Sequence, residues 1–133
     1  MAAVVLDASI LIGLFNPGDP FHATADRAVR AAAEAADQLV ISAVTYSEVL
    51  VGFYAAGIDP RHDQALQAFL TMVTIAPLDP PVAERAAALR AAHGIRLPDA
   101  LVLATGIVLG AGQILTGDRR WAAIDTTVRV LTP

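Results

Sequence analysis

The feature that most constrains the fold is the alternation of short apolar segments with helical segments along the whole chain. Five short segments rich in Val, Ile and Leu have the length and composition of buried strands. They cover residues 2–6, 39–41, 73–76, 113–115 and 128–131. Strands that are joined through helices run parallel, and a parallel sheet needs helices on both faces. We therefore predict an α/β fold with three layers, α/β/α, around a mostly parallel sheet of four to five strands.

Helix signals occupy the stretches between these strands. Asp-Pro pairs at 19–20, 59–60 and 79–80 supply a cap and a first-turn proline, and they predict helices that end near residues 36, 70 and 93. Ser42 is the predicted cap of a helix that ends near Gly57, and Gly94 is placed to terminate the helix that ends at residue 93. A short helix is predicted over residues 9–15, and an apolar helix follows Pro98.

Composition indicates one compact domain. The 133 residues fit a single domain, residues 1–133. With 56% hydrophobic and 17% charged residues, the chain is not a disordered segment. The longest apolar stretch, residues 100–115, is too short and too rich in glycine to cross a bilayer, and the N-terminus lacks the basic residues of a secretory signal. We expect a cytoplasmic protein with no membrane partner.

The residue types that are absent exclude several chemistries. The chain has no cysteine, which excludes disulfides, thiolate metal sites and cysteine nucleophiles. All nine basic residues are arginine, so Schiff-base and P-loop chemistry, which need a lysine, are excluded as well. The formal charge of −4 argues against a broad nucleic-acid-binding face. An anionic substrate therefore has to be met by a few arginines or by a metal ion.

Four acidic residues are predicted to meet at one edge of the sheet. Asp7 and Asp118 directly follow strands. Glu48 lies in the first two turns of the helix after the second strand, and Asp99 begins the apolar helix. Because ligands of open α/β sheets bind outside the carboxyl ends of the strands, the chain direction brings all four acids to the binding edge.

Each of these acids also has a purely structural interpretation. Asp7 and Asp99 suit helix starts, where free amides and the helix dipole stabilise a carboxylate. Asp118 suits an ordinary Gly-Asp turn. Glu48 lies on an apolar helix face and needs a partner there, which an arginine from elsewhere in the fold can supply.

Together, however, the four carboxylates indicate a bound cation. Two carboxylates about 4 Å apart repel each other by about 4 kcal/mol at an effective dielectric constant of about 20. Ligand sets made only of oxygen select Mg²⁺ or Mn²⁺, and such an ion polarises a phosphoryl oxygen and lowers the pKa of a bound water. The sequence therefore predicts a metal site for phosphoryl chemistry, with these ligands and catalytic residues: Asp7, Glu48, Asp99 and Asp118.

The segments that contain the four acids resemble the motifs of the PIN domain family. VVLDASIL contains an Asp at a strand end followed two residues on by Ser, and SAVTYSEVLVG contains a helical Glu. LPDALVLAT contains an Asp that opens a helix, and LTGDRRW contains a Thr-x-Asp. Their order, their spacing and the length of the chain resemble the VapC-type ribonuclease toxins of bacterial toxin–antitoxin pairs. The resemblance implies a PIN-like fold, cleavage of RNA by a Mg²⁺- or Mn²⁺-dependent endonuclease, a cognate VapB-type antitoxin and a homodimer.

The resemblance also assigns roles by position. It makes the four acids the catalytic quartet, and it makes Ser9 and Thr116 hydroxyls that orient a carboxylate, a water or the scissile phosphate. Arg96, Arg119 and Arg120 each lie within three residues of a site acid, and a guanidinium can bind a phosphate bidentately. These arginines are candidate substrate-binding residues, with surface charges or salt bridges to the site acids as the alternative.

Expectations also concern the single tryptophan, the histidines and two helical segments. Trp121 is either a residue that stacks on a base or, as is more usual beside a strand end, a core residue. The three histidines lie on helices with no shared spacing, and we predict no catalytic role for them. The alanine-rich stretch 23–36 and the segment EVLVGFYAAG are candidate antitoxin or dimer surfaces, or else core faces.

Other functions account for parts of the pattern. A PIN-like module that binds nucleic acid or a partner without cutting would be favoured by a missing acid, and none is missing. Phosphoryl-transfer proteins of the haloacid-dehalogenase or response-regulator kind also place an Asp after the first strand, but they use a lysine that this chain lacks. Structure-specific DNA nucleases of the flap type are longer, with clamping helices for which this chain has no room.

Overall fold

The computed structural model describes residues 2–35 and 37–133. Within these residues five strands form one sheet in the order β3-β2-β1-β4-β5, and every neighbouring pair is parallel. The strands are β1 (Ala3–Leu6), β2 (Gln38–Ser42), β3 (Val73–Ala76), β4 (Gln113–Thr116) and β5 (Val128–Val130). The predicted three-layer α/β fold is confirmed, and all five strands are present.

Helices connect the strands and cover both faces of the sheet. They are α1 (Ala8–Phe15), α2 (His22–Glu34), α3 (Ala43–Ala55), α4 (Gln64–Leu70), α5 (Pro80–His93) and α6 (Leu97–Leu109), with short 3-10 helices at Pro60–His62 and Arg119–Ala123. No helix among the described residues combines the length and the apolar character that a membrane crossing requires.

Several predicted helix ends are correct because the capping side chains are in place. Ser42 caps α3 by accepting the N–H groups of Val44 and Thr45. Asp79 caps α5, and Gly94 ends it in the left-handed region with φ of 65°. Glycine adopts that backbone conformation without the strain that a Cβ atom would cause.

Two predicted helices have different bounds in the structure. The helix expected from 59–60 to residue 70 is interrupted, because Asp63 accepts the N–H of Leu66 and so begins a new helix after the 3-10 turn. The helix expected at 19–20 begins instead at His22, since Asp19 accepts the N–H of Phe21 and forms a turn. Its expected end at residue 36 lies outside the described residues.

Alternate side chains of the strands supply two hydrophobic cores. Val4 and Leu6 of β1 pack with residues of α1, α2, α3 and α4 on one face. Val5 of β1 packs with α5, α6 and Trp121 on the other face. Helix α6 lies so close to the sheet that a Cβ atom on Gly106 would approach Ile114 of β4 to 2.5 Å. That close contact fixes the position of the helix that carries Asp99.

The strand order places a crevice at the carboxyl ends of β1 and β4. From β1 the chain moves outward through β2 to β3, and it then returns to the other side of β1 to form β4 and β5. Such a reversal is the usual ligand-binding point of an open α/β sheet. The N–H of Asp7 donates to the carbonyl oxygen of Leu115 at 2.9 Å, so the chain leaving β1 stays joined to β4 at this point.

Candidate active site

Asp7 occupies the centre of this crevice. It directly follows β1, is the N-cap of α1, and only 9% of the residue is exposed. Its Oδ1 accepts the N–H of Ala8 at 2.8 Å. Its Oδ2 accepts the hydroxyl of Ser9 at 2.9 Å and the hydroxyl of Thr116 at 2.8 Å. Helix capping explains the hydrogen bond to Oδ1. The hydrogen bonds to Oδ2 come instead from two side chains, one at the start of α1 and one at the end of β4.

Backbone contacts direct both hydroxyl protons toward Asp7. The Ser9 oxygen accepts the N–H of Gly117 at 3.0 Å, and the Thr116 oxygen accepts the N–H of Asp118 at 3.0 Å. Because each hydroxyl oxygen already accepts a hydrogen bond, its single proton is donated to the carboxylate. These contacts fit one of the roles expected for Ser9 and Thr116, that of orienting a carboxylate.

The charges of neighbouring acids act on two of the four carboxylates, Asp7 and Glu48. Burial raises the pKa of Asp7, hydrogen bonds from Thr116 and Ser9 oppose that rise, and the charge of Asp99 adds to it. Glu48 is exposed at the surface of α3, but partial desolvation raises its pKa, and the charges of Asp7 and Asp99 raise it further. The structure therefore brings Asp99 near enough for its charge to oppose the ionisation of both Asp7 and Glu48.

Asp99 is not a helix cap. It lies in the first turn of α6, and the N-terminus of that helix has no side-chain cap. Its two oxygens instead accept two hydrogen bonds from the Arg96 guanidinium, both at 3.3 Å. The charge of Arg96 also lowers the pKa of Glu48, so one guanidinium contacts Asp99 and acts on Glu48.

Asp118 differs from the other three acids because it forms a bidentate ion pair. Its oxygens accept Nε and a terminal nitrogen of Arg120 at 3.0 and 2.7 Å, and one of them accepts the backbone N–H of Arg120. These contacts, with the Arg120 side chain the largest cause, lower the pKa of Asp118. In this structure Asp118 therefore has the contacts of a turn residue that is paired with an arginine.

The donor set fits a hard divalent cation, although the carboxylates are not gathered around one point. Among residues 2–35 and 37–133, no three acidic or histidine side chains are close enough together to share an ion. The three coupled groups are all carboxylates, which are the ligands that Mg²⁺ and Mn²⁺ prefer. Arg96 opposes this only weakly, because its side chain is 73% exposed and its hydrogen bonds are long.

A cleft that no sequence pattern indicates is lined in part by Asp99. It has a volume of about 330 Å³ and is lined by Asp99 together with His93, Ile95, Arg96, Arg120, Trp121 and Ile124. We call it the side cleft. Its residues come from the end of α5, the start of α6 and the 3-10 helix after β4, three places with no shared motif. Trp121 is 1% exposed, so the core interpretation of this residue is correct, although it also borders the cleft.

A second groove lies between α1 and α3, next to Glu48. It has a volume of about 430 Å³, and its apolar lining includes Leu11, Ile12, Phe15, Phe53 and Ile58. We call it the α1/α3 groove. Part of the segment EVLVGFYAAG lines it. The alanine-rich helix α2, in contrast, buries Ala25, Val29 and Ala32 in the core.

The remaining candidates lie apart from the acids or at the surface. Arg119 is exposed at the start of the 3-10 helix after β4. His22 forms a hydrogen bond of 2.8 Å with the carbonyl oxygen of Gly13, and His62 lies 3.8 Å from Asp59.

Fold and site together define a three-layer α/β/α domain with an acidic centre at the crossover point of a parallel sheet. The sequence profile of the PIN domain family matches residues 4–126. This chain belongs to the PIN domain family.

Solved structures with the same fold come from several bacteria. A chain of a toxin–antitoxin complex from Klebsiella pneumoniae is 30% identical, with a TM-score of 0.76 and 96% of both chains covered. A chain of VapBC2 from Rickettsia felis, bound to a DNA fragment from their promoter, is 15% identical, with a TM-score of 0.80 and coverage of 98% of this chain and 99% of that one.

VapC20 from Mycobacterium tuberculosis, described as a Sarcin-Ricin loop cleaving toxin, is 21% identical, with a TM-score of 0.70 and coverage of 90% and 93%. At this identity, as for the Rickettsia structure, the likeness shows a common fold. A comparison with curated proteins gave no match.

Proposed function

We propose that this protein is a Mg²⁺- or Mn²⁺-dependent endoribonuclease and the toxin of a toxin–antitoxin pair. The observation that carries the proposal is the group of three coupled carboxylates, Asp7, Glu48 and Asp99, at the crossover point of the sheet. Membership of the PIN domain family and 30% identity to a chain of a toxin–antitoxin complex support it.

The carboxylates would hold the divalent ion. Asp7, Glu48 and Asp99 are the proposed ligands, and Asp118 would join them once Arg120 turns away. When bound, the ion supplies Lewis acidity toward a phosphodiester and makes a nearby water more acidic. The charges of Asp99 and Asp7 raise the pKa of Glu48, and that of Asp99 raises the pKa of buried Asp7, so ionising these carboxylates is unfavourable in the absence of a cation.

The neighbouring side chains have distinct proposed roles. Ser9 and Thr116 would fix the rotamer of Asp7, and by donating their protons they favour its ionised form against the effect of burial. Arg96 and Arg120 neutralise Asp99 and Asp118 in the absence of substrate, and their exposed guanidinium groups can transfer to the phosphates of RNA. Arg119, exposed beside them, is a third candidate for phosphate contact.

The decisive experiment compares RNA ends produced by the purified wild-type protein and by Asp7→Asn. We expect cleavage with Mg²⁺ or Mn²⁺, loss of cleavage with EDTA, and near-background cleavage by the variant. Glu84→Gln, which removes a charge from the exposed face of α5, is the matched control and should cut normally. If Asp7→Asn cuts RNA at the wild-type rate, the carboxylates are not the catalytic centre.

The partner that we propose is a VapB-type antitoxin, and the α1/α3 groove is its proposed binding surface. The groove is apolar, open and adjacent to Glu48, so a peptide bound there would lie against the site. Expression of the protein alone should arrest growth, and coexpression of the antitoxin should restore it. Ile12→Glu in the groove should prevent rescue, whereas Val108→Glu, at a similarly exposed position of α6, should not. Unimpeded growth with folded protein would contradict the toxin assignment.

A homodimer acting on cytoplasmic RNA completes the proposal. Light scattering on the purified protein measures its mass in solution, and a monomeric mass at all concentrations would contradict the dimer.

The second candidate is a PIN-like module that binds nucleic acid or a partner without cutting. The ion pairs that engage Asp99 and Asp118 favour it, because both carboxylates already have a cationic partner. The two candidates differ in their response to metal. Mg²⁺ or Mn²⁺ should raise the melting temperature of the nuclease and leave that of the binding module unchanged.

A further inference from the structure

We propose that the side cleft binds one nucleotide of the RNA next to the bond that is cut. The proposal rests on the nuclease function above and adds to it a site that reads or positions the substrate.

The position of the cleft links it to the carboxylates. Asp99 belongs both to the coupled carboxylates and to the lining of the cleft. Arg96 also lines the cleft while it contacts Asp99 and influences Glu48. A strand of RNA with one phosphate at the carboxylates would therefore place a neighbouring nucleotide in the side cleft.

The lining combines the two properties that a nucleotide requires. The more buried residues are apolar, namely Ile95, Trp121 and Ile124, which belong to or pack against the second core. The exposed residues are Arg96 and Arg120, together with His93. An apolar inner part suits the faces of a base, and exposed guanidinium groups suit a phosphate or stack on the base.

The charges favour an anionic aromatic ligand over the other classes. Arg96 and Arg120 pair with Asp99 and Asp118, but their guanidinium groups are exposed and can transfer to a phosphate. An acidic peptide could engage them as well but would leave the apolar inner part unused. The volume of about 330 Å³ lies at the small end of the usual range for small-molecule sites, about 300–1,000 Å³, so the cleft suits a single nucleotide.

Trp121 makes the proposal directly measurable. It is the single tryptophan of the chain, and it borders the cleft. Its indole N–H has no hydrogen-bond partner among the described residues, so its NMR resonance should be sensitive to a change in the neighbouring packing. The experiment titrates adenosine monophosphate and uridine monophosphate into the protein in EDTA and follows this one resonance.

We expect a saturable shift with at least one of the two nucleotides. Inorganic phosphate and the free nucleosides should bind more weakly by about tenfold, because each supplies only half of the contacts. Equal affinity for inorganic phosphate would mean that the arginines bind any anion, and this result would overturn the proposal. So would the absence of a saturable shift with both nucleotides.

A pair of variants on the same 3-10 helix tests the location. Ala123 lines the cleft and Ala122 does not, although both are exposed. Ala123→Leu should fill the cleft and weaken nucleotide binding by about tenfold, whereas Ala122→Leu should change it by less than about twofold. Equal binding by both variants would place the nucleotide elsewhere. The comparison of ligands on the wild-type protein stands even if Ala123→Leu does not fold.

Failure of this proposal and failure of the nuclease function give different results. Nucleotide binding is measured in EDTA, where no cleavage occurs. Binding in a protein that never cuts RNA would refute the nuclease and retain the cleft. Cleavage by a protein whose Trp121 resonance does not respond to either nucleotide would refute the cleft and retain the nuclease.

Discussion

Replacing Thr116 with valine tests whether Asp7 is held as an ionised carboxylate. Valine has nearly the same shape as threonine, and Thr116 is fully buried, so the substitution removes one hydroxyl with little change in packing. That hydroxyl donates to Asp7 at 2.8 Å and accepts the N–H of Asp118 at 3.0 Å. The Thr116→Val protein should therefore lose two hydrogen bonds, one of which is made to a charged group.

The expected cost follows from these two contacts. A hydrogen bond to a charged acceptor contributes about 1.5–3 kcal/mol, and a neutral one about 0.5–1.5 kcal/mol. We expect the free energy of unfolding to fall by about 2–4 kcal/mol at about pH 7. Thr105→Val is the matched control, because the hydroxyl of this buried threonine donates to the neutral carbonyl oxygen of Leu101. The Leu101 carbonyl lies within α6 and can keep its helical hydrogen bond. Removing the Thr105 hydroxyl should therefore lower the free energy of unfolding by less than about 1 kcal/mol.

Urea unfolding of both variants over a range of pH provides the measurement. The hydroxyl of Thr116 favours the ionised form of Asp7, so the cost of Thr116→Val should shrink as the pH falls and Asp7 becomes protonated. The cost of Thr105→Val should stay constant. If the two variants lose equal stability at about pH 7, or if the cost of Thr116→Val does not change with pH, then Asp7 is not an ionised acceptor of that hydroxyl.

Since folding raises the pKa of Asp7 above its ordinary value of 3.8, the folded state binds a proton that the unfolded chain does not in the pH range between these two values. The Asp7 contribution to stability should therefore increase as the pH falls through the raised pKa toward 3.8, and Asp7→Asn should reduce this increase in urea unfolding. Gly106→Ala should destabilise the protein by about 1–3 kcal/mol in urea unfolding, because its Cβ would overlap a buried side chain of β4, whereas Gly52→Ala, which has open space, should be neutral or stabilising. Arg96→Gln should tighten Mn²⁺ binding severalfold in a calorimetric titration, because it removes the cation that competes for Asp99, and Arg119→Gln should leave it unchanged.

The sequence was sufficient to predict the parts of the fold that depend on local patterns. Asp79 and Gly94 were identified as helix ends because capping needs particular side chains and a particular backbone conformation. The proximity of Asp7 to Thr116 was predictable because parallel strands bring their carboxyl ends to one edge. In contrast, the sequence pattern did not predict the break at Asp63. Asp59 and Asp63 each cap a separate helix, and two acids so close together in the sequence do not indicate that one helix ends and another begins between them.

The candidate site was harder to predict where it depends on side-chain direction. The guanidinium of Arg96 contacts Asp99 and that of Arg120 contacts Asp118, but sequence separation alone does not distinguish such pairs from free surface charges. The side cleft was not predictable for another reason. The cleft forms where the end of α5, the start of α6 and the 3-10 helix after β4 meet. Its lining residues, such as His93 and Ile124, are far apart in the sequence and belong to no common motif.

The two hydroxyls that hold Asp7 are contributed at very different times during protein synthesis. Ser9 leaves the ribosome with the first helix, whereas Thr116 follows only after α6 and most of β4 have been made. Until then Asp7 lacks one of its two side-chain donors, and β1 lacks its neighbour on one side. A chain whose translation stops before β4 therefore contains Asp7 but lacks Thr116 and the strand that pairs with β1. We expect such incomplete chains to have no nuclease activity.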